Sequence, residues 1–370
     1  MSASSERFSA SDLALASTSS TLSGPRFAGI IGPVRKRCQT ADCDRFAGRM
    51  QGDPEFARLV GWLAAGGLAG ACIEPLAGDV SARRYARIRP PAGGSLLAVL
   101  YPPELAAART RFVAAAALLT RAGVRVPAIH RDDAAAGILL VEDLGPRTLC
   151  ERTDLDWAAR RPYFEAAIDA LRRIAAIPLA EVERLGSPPL DAALLERELA
   201  GTIEVFLAPR GLAPTPFVAG LRELCRRLGA GPLVACHRDF MARNLMPLGG
   251  DRVAVIDFQD LRPGPAAYDL ASLLNDSLFA PQPLERQWLE LALPPGGDPL
   301  DYSRAVAQRT LKAVGTFTRF AAAGNARHLP LIPPSLARAA RHLARLPEVA
   351  DAFAPLAGRF AALSGDEPVC

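Results

Sequence analysis

The spacing of apolar residues changes along this chain. Between Cys72 and Val141, short apolar or alternating runs are separated by turns that contain glycine and proline, a pattern typical of β-strands. After Asp156, apolar residues mostly recur every three or four positions, which is typical of amphipathic helices. The pattern therefore predicts an α+β fold, in which a small β-rich part precedes a larger, mainly helical part.

The first part is predicted to contain several strands and two helices. The small-residue segment 77–82 joins the first two strands and is predicted to be a turn. Backbone N–H groups around Gly78 and Ser81 could bind phosphate oxygens, so this hairpin could cover a nucleotide. The predicted strands are 72–76, 83–88, 96–101, 126–129 and 137–141, and the predicted helices are 54–68 and 104–122.

One region without helical spacing interrupts the second part. Segments 245–248 and 252–256 are predicted to form a hairpin around the Gly-Gly-Asp turn at 249–251. This hairpin would bring Asn244 and Asp257 side by side. A further strand is predicted over 233–236, and helices are predicted over 157–176, 191–206, 216–228, 267–278, 284–293, 302–323 and 334–346.

Length and charge exclude several classes of protein. The 370 residues, 50% of them hydrophobic, are enough to bury a large core and to form two lobes. The formal net charge of +4 comes mostly from residues 1–50, which carry seven basic and four acidic side chains. The remainder is close to neutral and lacks the electrostatic footprint of a nucleic-acid-binding protein. No apolar run reaches the length of a membrane span, so we expect neither nucleic acid nor membrane as a partner.

The beginning of the chain differs in composition from the rest. Residues 1–50 are rich in serine, threonine and alanine and contain no continuous apolar segment of the kind that secretory signals need. We interpret them as a disordered extension or a mis-assigned start, with Met50 as the alternative first residue. The seven cysteines of the chain are scattered, and none of them completes a metal site. Reduced thiols are the better interpretation, which predicts a cytoplasmic location.

The polar segment 237–244, His-Arg-Asp-Phe-Met-Ala-Arg-Asn, predicts a phosphoryl-transfer site together with Asp257. Asp239 can orient and deprotonate a hydroxyl group, while Asn244 and Asp257 can provide oxygen ligands for Mg²⁺. Each residue alone would more often be a turn or cap former. Their combination at this spacing, between strands, favours a kinase that uses ATP. For His237 we predict a structural role, through a bond to the loop backbone.

The His-x-Asp-x-x-x-x-Asn pattern and the following Ile-Asp-Phe at 256–258 resemble the aminoglycoside phosphotransferase and choline kinase family. The later sequence is more specific, since it resembles the bacterial kinases that phosphorylate the anomeric hydroxyl of N-acetylmuramate and N-acetylglucosamine. The resemblance runs from about Pro54 to about Leu363 and is stronger after Gly137. The segments that carry it are 257–260, 264–274, 308–315 and 330–347.

The resemblance implies a protein-kinase-like two-lobed fold. Its N-lobe, over 51–143, would cover the nucleotide, and its C-lobe, over 144–370, would hold the catalytic and acceptor-binding residues. It also implies an inter-lobe hinge at Glu142 and Leu144, where the backbone would recognise adenine, although a plain strand-to-helix turn fits these residues equally well. The implied cofactors are ATP and Mg²⁺, and the implied partner is a small-molecule sugar.

Four residues are candidates for binding that sugar. Gln259 and Asp260 follow directly on Asp257, so their amide and carboxylate can lie beside the acceptor and hydrogen-bond its hydroxyls. Arg309 and Lys312 are three apart on a predicted helix and therefore share a face. They could bind the lactyl carboxylate of muramate, although solvated surface charge is the commoner role.

The chain departs from the kinase pattern in one respect, because its predicted third strand carries no lysine for the phosphates. The only lysines are Lys36 and Lys312, and neither can fill that position. Arginine is a suitable substitute, since it is a fixed cation with a planar set of donors. The candidates are Arg83, Arg84 and Arg87.

Two other functions stay open on the sequence. A kinase for an aminoglycoside or amino alcohol would call for an acidic cleft, whereas residues 265–370 hold ten acidic and ten basic side chains. A nucleotide-binding pseudokinase scaffold would account for the missing lysine. Such a scaffold would have no physical need for Asp239, Asn244 and Asp257 together.

Overall fold

The computed structural model describes residues 53–76, 82–292 and 298–365. The chain divides into two compact units, one up to Ile73 together with Arg89–Gly94, the other Glu74–Ile88 with Ser95 onwards. The predicted extension over 1–50 and the turn residues Gly78 and Ser81 lie outside the described residues. The lobe boundary that the sequence predicts between 143 and 144 stays a prediction.

The first unit begins with helix α1, Pro54–Ala65. Asp53 caps it, because its side chain accepts a hydrogen bond of 3.0 Å from the backbone N–H of Glu55. Phe56, Leu59 and Leu63 are buried, which fits the helical spacing that predicted this element. Strand β1, Cys72–Leu76, begins in the first unit and ends in the second.

A five-stranded sheet of order β1-β2-β3-β5-β4 contains the predicted early strands. The pairs β2–β3, β3–β5 and β4–β5 are antiparallel, and Tyr85 lies opposite Val99 in the register. Because successive side chains alternate between faces, these two residues share the face that reaches the cavity described below. The strands are β2 Arg84–Arg89, β3 Leu96–Leu100, β4 Ile129–Asp133 and β5 Ile138–Glu142, and helix α2, Ala106–Arg121, lies between β3 and β4.

The prediction for β4 was wrong in position. The apolar segment 126–129 was expected to form the strand, but β4 begins at Ile129 and continues through His-Arg-Asp-Asp. These polar residues suit β4 because it is the last strand of the sheet and is only partly buried. A prediction of this strand from hydrophobicity alone therefore selected the wrong segment.

The rest of the described chain is mainly helical, and the seven helices predicted there are all present with slightly shifted ends. Three short helices, α4, α11 and α12, were not predicted because they are too short to show a period. None of the described helices is long and apolar enough to cross a bilayer. The helices are α3 Trp157–Ala175, α4 Leu179–Glu183, α5 Ala192–Thr202, α6 Thr215–Ala230, α7 Tyr268–Asn275, α8 Gln282–Ala292, α9 Pro299–Ala322, α10 Ile332–Leu343, α11 Ala350–Phe353 and α12 Ala357–Ser364.

Two small antiparallel sheets lie among these helices. The predicted hairpin is confirmed as β7, Leu245–Leu248, and β8, Arg252–Val255. The predicted strand β6, Leu233–Cys236, pairs with an unpredicted strand β9, Arg262–Pro265. Its sequence, Arg-Pro-Gly-Pro, argues against a strand because proline donates no backbone hydrogen bond.

The long helix α9 is held close to α5 by a small residue. A Cβ added to Gly315 would collide with Thr202 of α5, and the Thr202 hydroxyl donates a hydrogen bond of 2.9 Å to the carbonyl of Leu311. Glycine at this position therefore permits a helix separation that no larger residue would allow. As a result, Glu198 on α5 faces Lys312 on α9 across a short gap.

Candidate active site

The β7–β8 hairpin places the two predicted metal ligands side by side. Leu245 pairs with Val255, and the next backbone hydrogen bond, 3.0 Å long, runs from Ile256 N–H to the carbonyl of Asn244. Asn244 and Asp257 therefore both lie at the open end of the hairpin. Both line a cavity of about 760 Å³, and Asp239 lines the same cavity.

A buried carboxylate holds the loop that carries Asp239. Asp269, in the first turn of α7, accepts hydrogen bonds from the backbone N–H groups of His237 at 2.6 Å and Arg238 at 2.9 Å. Burial raises the pKa of Asp269, and these hydrogen bonds oppose that rise. The sequence predicted a structural Asp269 that would cap its helix. The role is structural, but the carboxylate fixes the catalytic loop instead of its own helix end.

Two further contacts fix the shape of this loop. The buried ring of His237 lies 3.1 Å, at Nε2, from the carbonyl of Ile256, which agrees with the structural role that we predicted. The side-chain amide of Asn244 donates a hydrogen bond of 2.8 Å to the backbone carbonyl of Asp239. Arg238 and Asp257 adopt left-handed backbone conformations, with φ of 74° and 63°. Such conformations cluster at functional sites, where surrounding contacts maintain them.

Asp239 lies in a strongly positive environment. Burial favours its neutral form, but the charges of Lys312, Arg309 and Arg238 outweigh this and hold the pKa of Asp239 well below its ordinary range. The guanidinium of Arg309 lies 3.3 Å from the Asp239 carboxylate, whose side chain keeps 29% of its surface exposed. The carboxylate is therefore ionised at neutral pH and accessible from the cavity.

The two cations that were predicted to bind the acceptor already have protein partners. Besides Asp239, Arg309 lies 3.2 Å from the carboxylate of Asp276. The ammonium of Lys312 lies 3.1 Å from Glu198, and burial lowers the pKa of Lys312. Both side chains line the cavity, so they remain candidates for the acceptor, but their charges are largely compensated.

Of the three arginines proposed to replace the kinase lysine, only Arg83 lines the cavity. Its guanidinium lies 3.5 Å from Asp257. Arg87 instead forms an ion pair of 2.6 Å with Asp143. Arg84 follows Arg83 directly and therefore points to the opposite face of the sheet. The geometry thus favours Arg83 at the nucleotide end of the site.

The ion pair that kinases carry between the third strand and the following helix has no counterpart between β3 and α2. Leu97 and Val99 of β3 line the cavity, and α2 contains no acidic residue. Phe112 of α2 stacks on Phe258, which follows Asp257, with ring centroids 4.7 Å apart. Aromatic stacking therefore connects α2 to the segment that follows Asp257.

The remaining sequence-predicted residues divide into those near the cavity and those away from it. Gln259 lines the cavity and donates a hydrogen bond of 2.8 Å to Asp257. The carboxylate of Asp260 is instead bound by Arg238 and Arg262. Glu142 and Leu144 do not line the cavity, and the Glu142 side chain accepts a hydrogen bond of 3.1 Å from Ala128 N–H. Their predicted hinge role concerns backbone atoms and stays a prediction.

The sequence interpretation missed one wall of the cavity. Thr316, Phe317 and Phe320 continue the face of α9 that Arg309 and Lys312 begin, and His328 stacks on Phe317 with centroids 5.1 Å apart. The helical period of this face was a signal that could have been followed further. We call the following set the acceptor wall: Lys312, Ala313, Thr316, Phe317, Arg319, Phe320 and His328.

A second cavity has a volume of about 700 Å³. Its lining is mostly apolar and includes Ala235, Pro265 and Leu270. Asp269 borders it, but neither Asp239 nor Asp257 does. The chemistry therefore belongs to the first cavity.

Comparison with known sequences places the chain among phosphotransferases. Residues 73–302 match the model of the phosphotransferase enzyme family. An N-acetylmuramate/N-acetylglucosamine kinase of Pseudomonas aeruginosa is 35% identical over 324 residues, which cover 80% of this chain and 90% of that protein. The enzyme of the same name from Caulobacter vibrioides is 34% identical over 263 residues, covering 60% of this chain and 71% of that protein.

Solved structures show the same fold. Choline kinase LicA from Streptococcus pneumoniae has a TM-score of 0.56 at 15% identity, with 76% of this chain and 98% of that one covered. The GDP complex of aminoglycoside 2'-phosphotransferase-IIIa also has a TM-score of 0.56, at 14% identity, with 78% and 98% covered. The chain therefore belongs to the phosphotransferase enzyme family, and it is a kinase with the α+β fold of that family.

Proposed function

We propose that this kinase transfers the γ-phosphoryl group of ATP to the anomeric hydroxyl of N-acetylmuramate or N-acetylglucosamine. Relatives at 35% and 33% identity carry the name of that activity. The grouping of Asp239, Asn244 and Asp257 around one cavity supports phosphoryl transfer. We propose that the protein is located in the cytoplasm, in line with the free thiols of Cys150, Cys225 and Cys236.

The charge of the residues that line the cavity is the observation from which we infer the class of acceptor. Among its described lining residues, six are arginine or lysine and four are aspartate or glutamate. A polycationic antibiotic or a quaternary amine would be repelled by such a lining, since like charges in a partly buried site are costly. A neutral or acidic sugar meets no such penalty. This observation favours the amino sugar over an aminoglycoside or an amino alcohol.

The low pKa of Asp239 suggests how it acts on the acceptor. An ionised carboxylate can accept a hydrogen bond from the anomeric hydroxyl and so orient its oxygen toward the phosphate. It is a weak base, because a general base works best when its pKa is near the working pH. The anomeric hydroxyl is more acidic than other sugar hydroxyls, so it needs less basic assistance. Orientation by Asp239 therefore suits this acceptor.

The donor set at the end of the hairpin fits Mg²⁺. Asn244 uses its amide N–H on Asp239, which leaves its carbonyl oxygen for a cation, and Asp257 keeps 43% of its side chain exposed. Mg²⁺ typically takes one or two protein ligands and completes its shell with phosphates and water. The described residues contain no cluster of three or more His, Cys, Asp or Glu that could hold a metal. The bound ion would neutralise phosphate charge.

Arg83 is proposed to bind the phosphates in place of the missing lysine. Replacing it with methionine is expected to raise the KM for ATP about 10-fold, since a hydrogen-bonded ion pair with phosphate is lost. The matched control is Arg84→Met on the adjacent residue, the first of β2, which should leave the KM for ATP unchanged. Equal effects of the two substitutions on KM would contradict this role for Arg83.

The acceptor assignment is tested directly by the product. Purified protein, ATP and Mg²⁺ are incubated with N-acetylmuramate, N-acetylglucosamine, an aminoglycoside or choline, and the products are examined by ³¹P NMR. We expect sugar 1-phosphates and no product from the 1-O-methyl glycosides, which lack the anomeric hydroxyl. Phosphate on another hydroxyl, or activity confined to the aminoglycoside, would overturn the acceptor. ATP binding without transfer to any acceptor would favour a scaffold.

A further inference from the structure

Arg319 lies on the acceptor wall, ten residues after Arg309 on α9. Its guanidinium lies against α5, because a Cβ added to Gly201 would collide with Nη1 of Arg319. The side chain is exposed, and its guanidinium lies between α9 and α5 at this end of the cavity.

The guanidinium of Arg319 lies one helical turn of α5 from Glu198. Gly201, which it contacts, is three residues from Glu198 on α5, so the two positions are neighbours about 5–6 Å apart on the helix surface. Glu198 in turn binds Lys312. Helical side chains lean toward the N-terminus, which for Arg319 is the direction of Lys312 and Asp239.

Arg319 differs from the other cations around the acceptor in having no carboxylate partner. Within the described parts of the chain, its guanidinium makes no ion pair and no hydrogen bond, although it borders a cavity with fixed charges. The other cations all have carboxylate partners, in these pairs: Arg238 and Lys312 with Glu198, Arg243 with Asp276, and Arg309 with Asp239 and Asp276. On this side of the cavity, the cation without a carboxylate partner among the described residues is therefore Arg319.

We propose that Arg319 binds the carboxylate of an acidic acceptor sugar and so sets the preference between acidic and neutral acceptors. The inference rests on the proposed function, since N-acetylmuramate differs from N-acetylglucosamine by a lactyl ether that carries a carboxylate. A guanidinium matches a carboxylate with two parallel hydrogen bonds. We assign this role to Arg319 instead of Arg309 and Lys312, because those two side chains already form ion pairs. Their partners are Asp239, Asp276 and Glu198.

The test compares the two sugars in one protein. Arg319→Gln is expected to lower kcat/KM for N-acetylmuramate about 10- to 100-fold, through KM, as expected for loss of a hydrogen bond between charged groups. The kcat/KM for N-acetylglucosamine should change less than about twofold, because that sugar has no carboxylate that Arg319 could bind. Arg319→Lys, which keeps the charge, should retain part of the preference. The matched control is Arg286→Gln, which removes an exposed arginine of α8 that is remote from the cavity lining.

A second variant moves Arg319 without removing its charge. Gly201→Ala places a methyl group where the guanidinium lies, so the flexible end of Arg319 must shift. Alanine is also the better helix former, so the variant should fold at least as well. We expect a smaller loss of the same kind, confined to KM for N-acetylmuramate. This variant separates the position of the charge from its presence.

Several outcomes would overturn the inference. An equal loss on both sugars would show that Arg319 supports the fold of the site and does not select its acceptor. An unchanged ratio in Arg319→Gln, or a wild-type enzyme that accepts only the neutral sugar, would also overturn it while sparing the proposed function. Absence of transfer to either sugar by the wild-type enzyme would overturn the proposed function and this inference with it.

Discussion

Asp239→Asn is expected to lower kcat about 10²- to 10⁴-fold, the range typical of a residue that assists proton transfer and orientation. Asparagine keeps the size of the side chain but removes the charge that accepts the hydrogen bond of the acceptor hydroxyl. It also leaves Arg309 and Lys312 facing a neutral group. The affinity for ATP should stay nearly unchanged, because the role proposed for Asp239 is contact with the acceptor and not with the nucleotide.

Two measurements check this expectation. Steady-state kinetics give kcat, and calorimetry gives the affinity for ATP with Mg²⁺ present. Asp169→Asn, an exposed residue of α3 paired with Arg173, is the matched control. A variant at Asp239 that keeps full activity would show that the active site is wrongly assigned.

The low pKa of Asp239 also leads to an expectation for how kcat depends on pH. Because its folded pKa lies below the ordinary value near 4, the carboxylate stays ionised as the pH falls from about 8 to 5. Protonation of Asp239 should therefore cause no decline of kcat in that range. A decline with a midpoint near pH 6 that disappears in Asp239→Asn would contradict this electrostatic description.

Asp257→Ala is expected to abolish the Mg²⁺-dependent part of ATP binding, and Asn244→Ala should weaken it. Each substitution removes one of the two protein oxygens proposed for the ion, and Mg²⁺ bound by so few protein ligands depends on each of them. Without Mg²⁺, Asp257→Ala should bind ATP at least as well as the wild type. The reason is that Arg83 loses its carboxylate partner and becomes available to the phosphates.

Calorimetric titrations of ATP with and without Mg²⁺ give both quantities for each variant. Asp169→Ala serves as the control for loss of a carboxylate at the surface. If both Asp257→Ala and Asn244→Ala bind Mg²⁺ and ATP like the wild type, neither residue is a metal ligand. If Asp257→Ala binds ATP alone more weakly, the proposed competition for Arg83 is wrong.

The sequence predicted that Asn244 and Asp257 lie side by side because their placement is local. His237, Asn244 and Asp257 are placed by one loop and one hairpin, and hairpin geometry follows from turn residues and alternation. The buried strands and the long helices were recovered for a related reason, since their apolar periods are regular. The exceptions were β4 and β9, whose polar or proline-rich sequences suit only their positions in the sheets.

The acceptor end was less predictable because it depends on packing between distant elements. Whether Arg83 or Arg84 reaches the cavity is decided by a register of one residue, which no single-sequence pattern fixes. Glu198, which pairs with Lys312, and Gly201, which Arg319 contacts, both belong to α5, more than a hundred residues earlier. These contacts depend on the close approach that Gly315 permits, and nothing in the local sequence of α9 reveals it.

The scarcity of lysine limits where amine-directed reagents can react with this enzyme. Lys312 is the only lysine in the described residues, since Lys36 lies outside them. Arginine stays protonated at neutral pH and resists acylation, so a nucleotide that carries an amine-directed reactive group finds no target at Arg83. Burial lowers the pKa of Lys312, so its amine loses a proton more readily than that of an exposed lysine. Amine-directed inhibitors of this enzyme are therefore better built on the sugar than on the nucleotide.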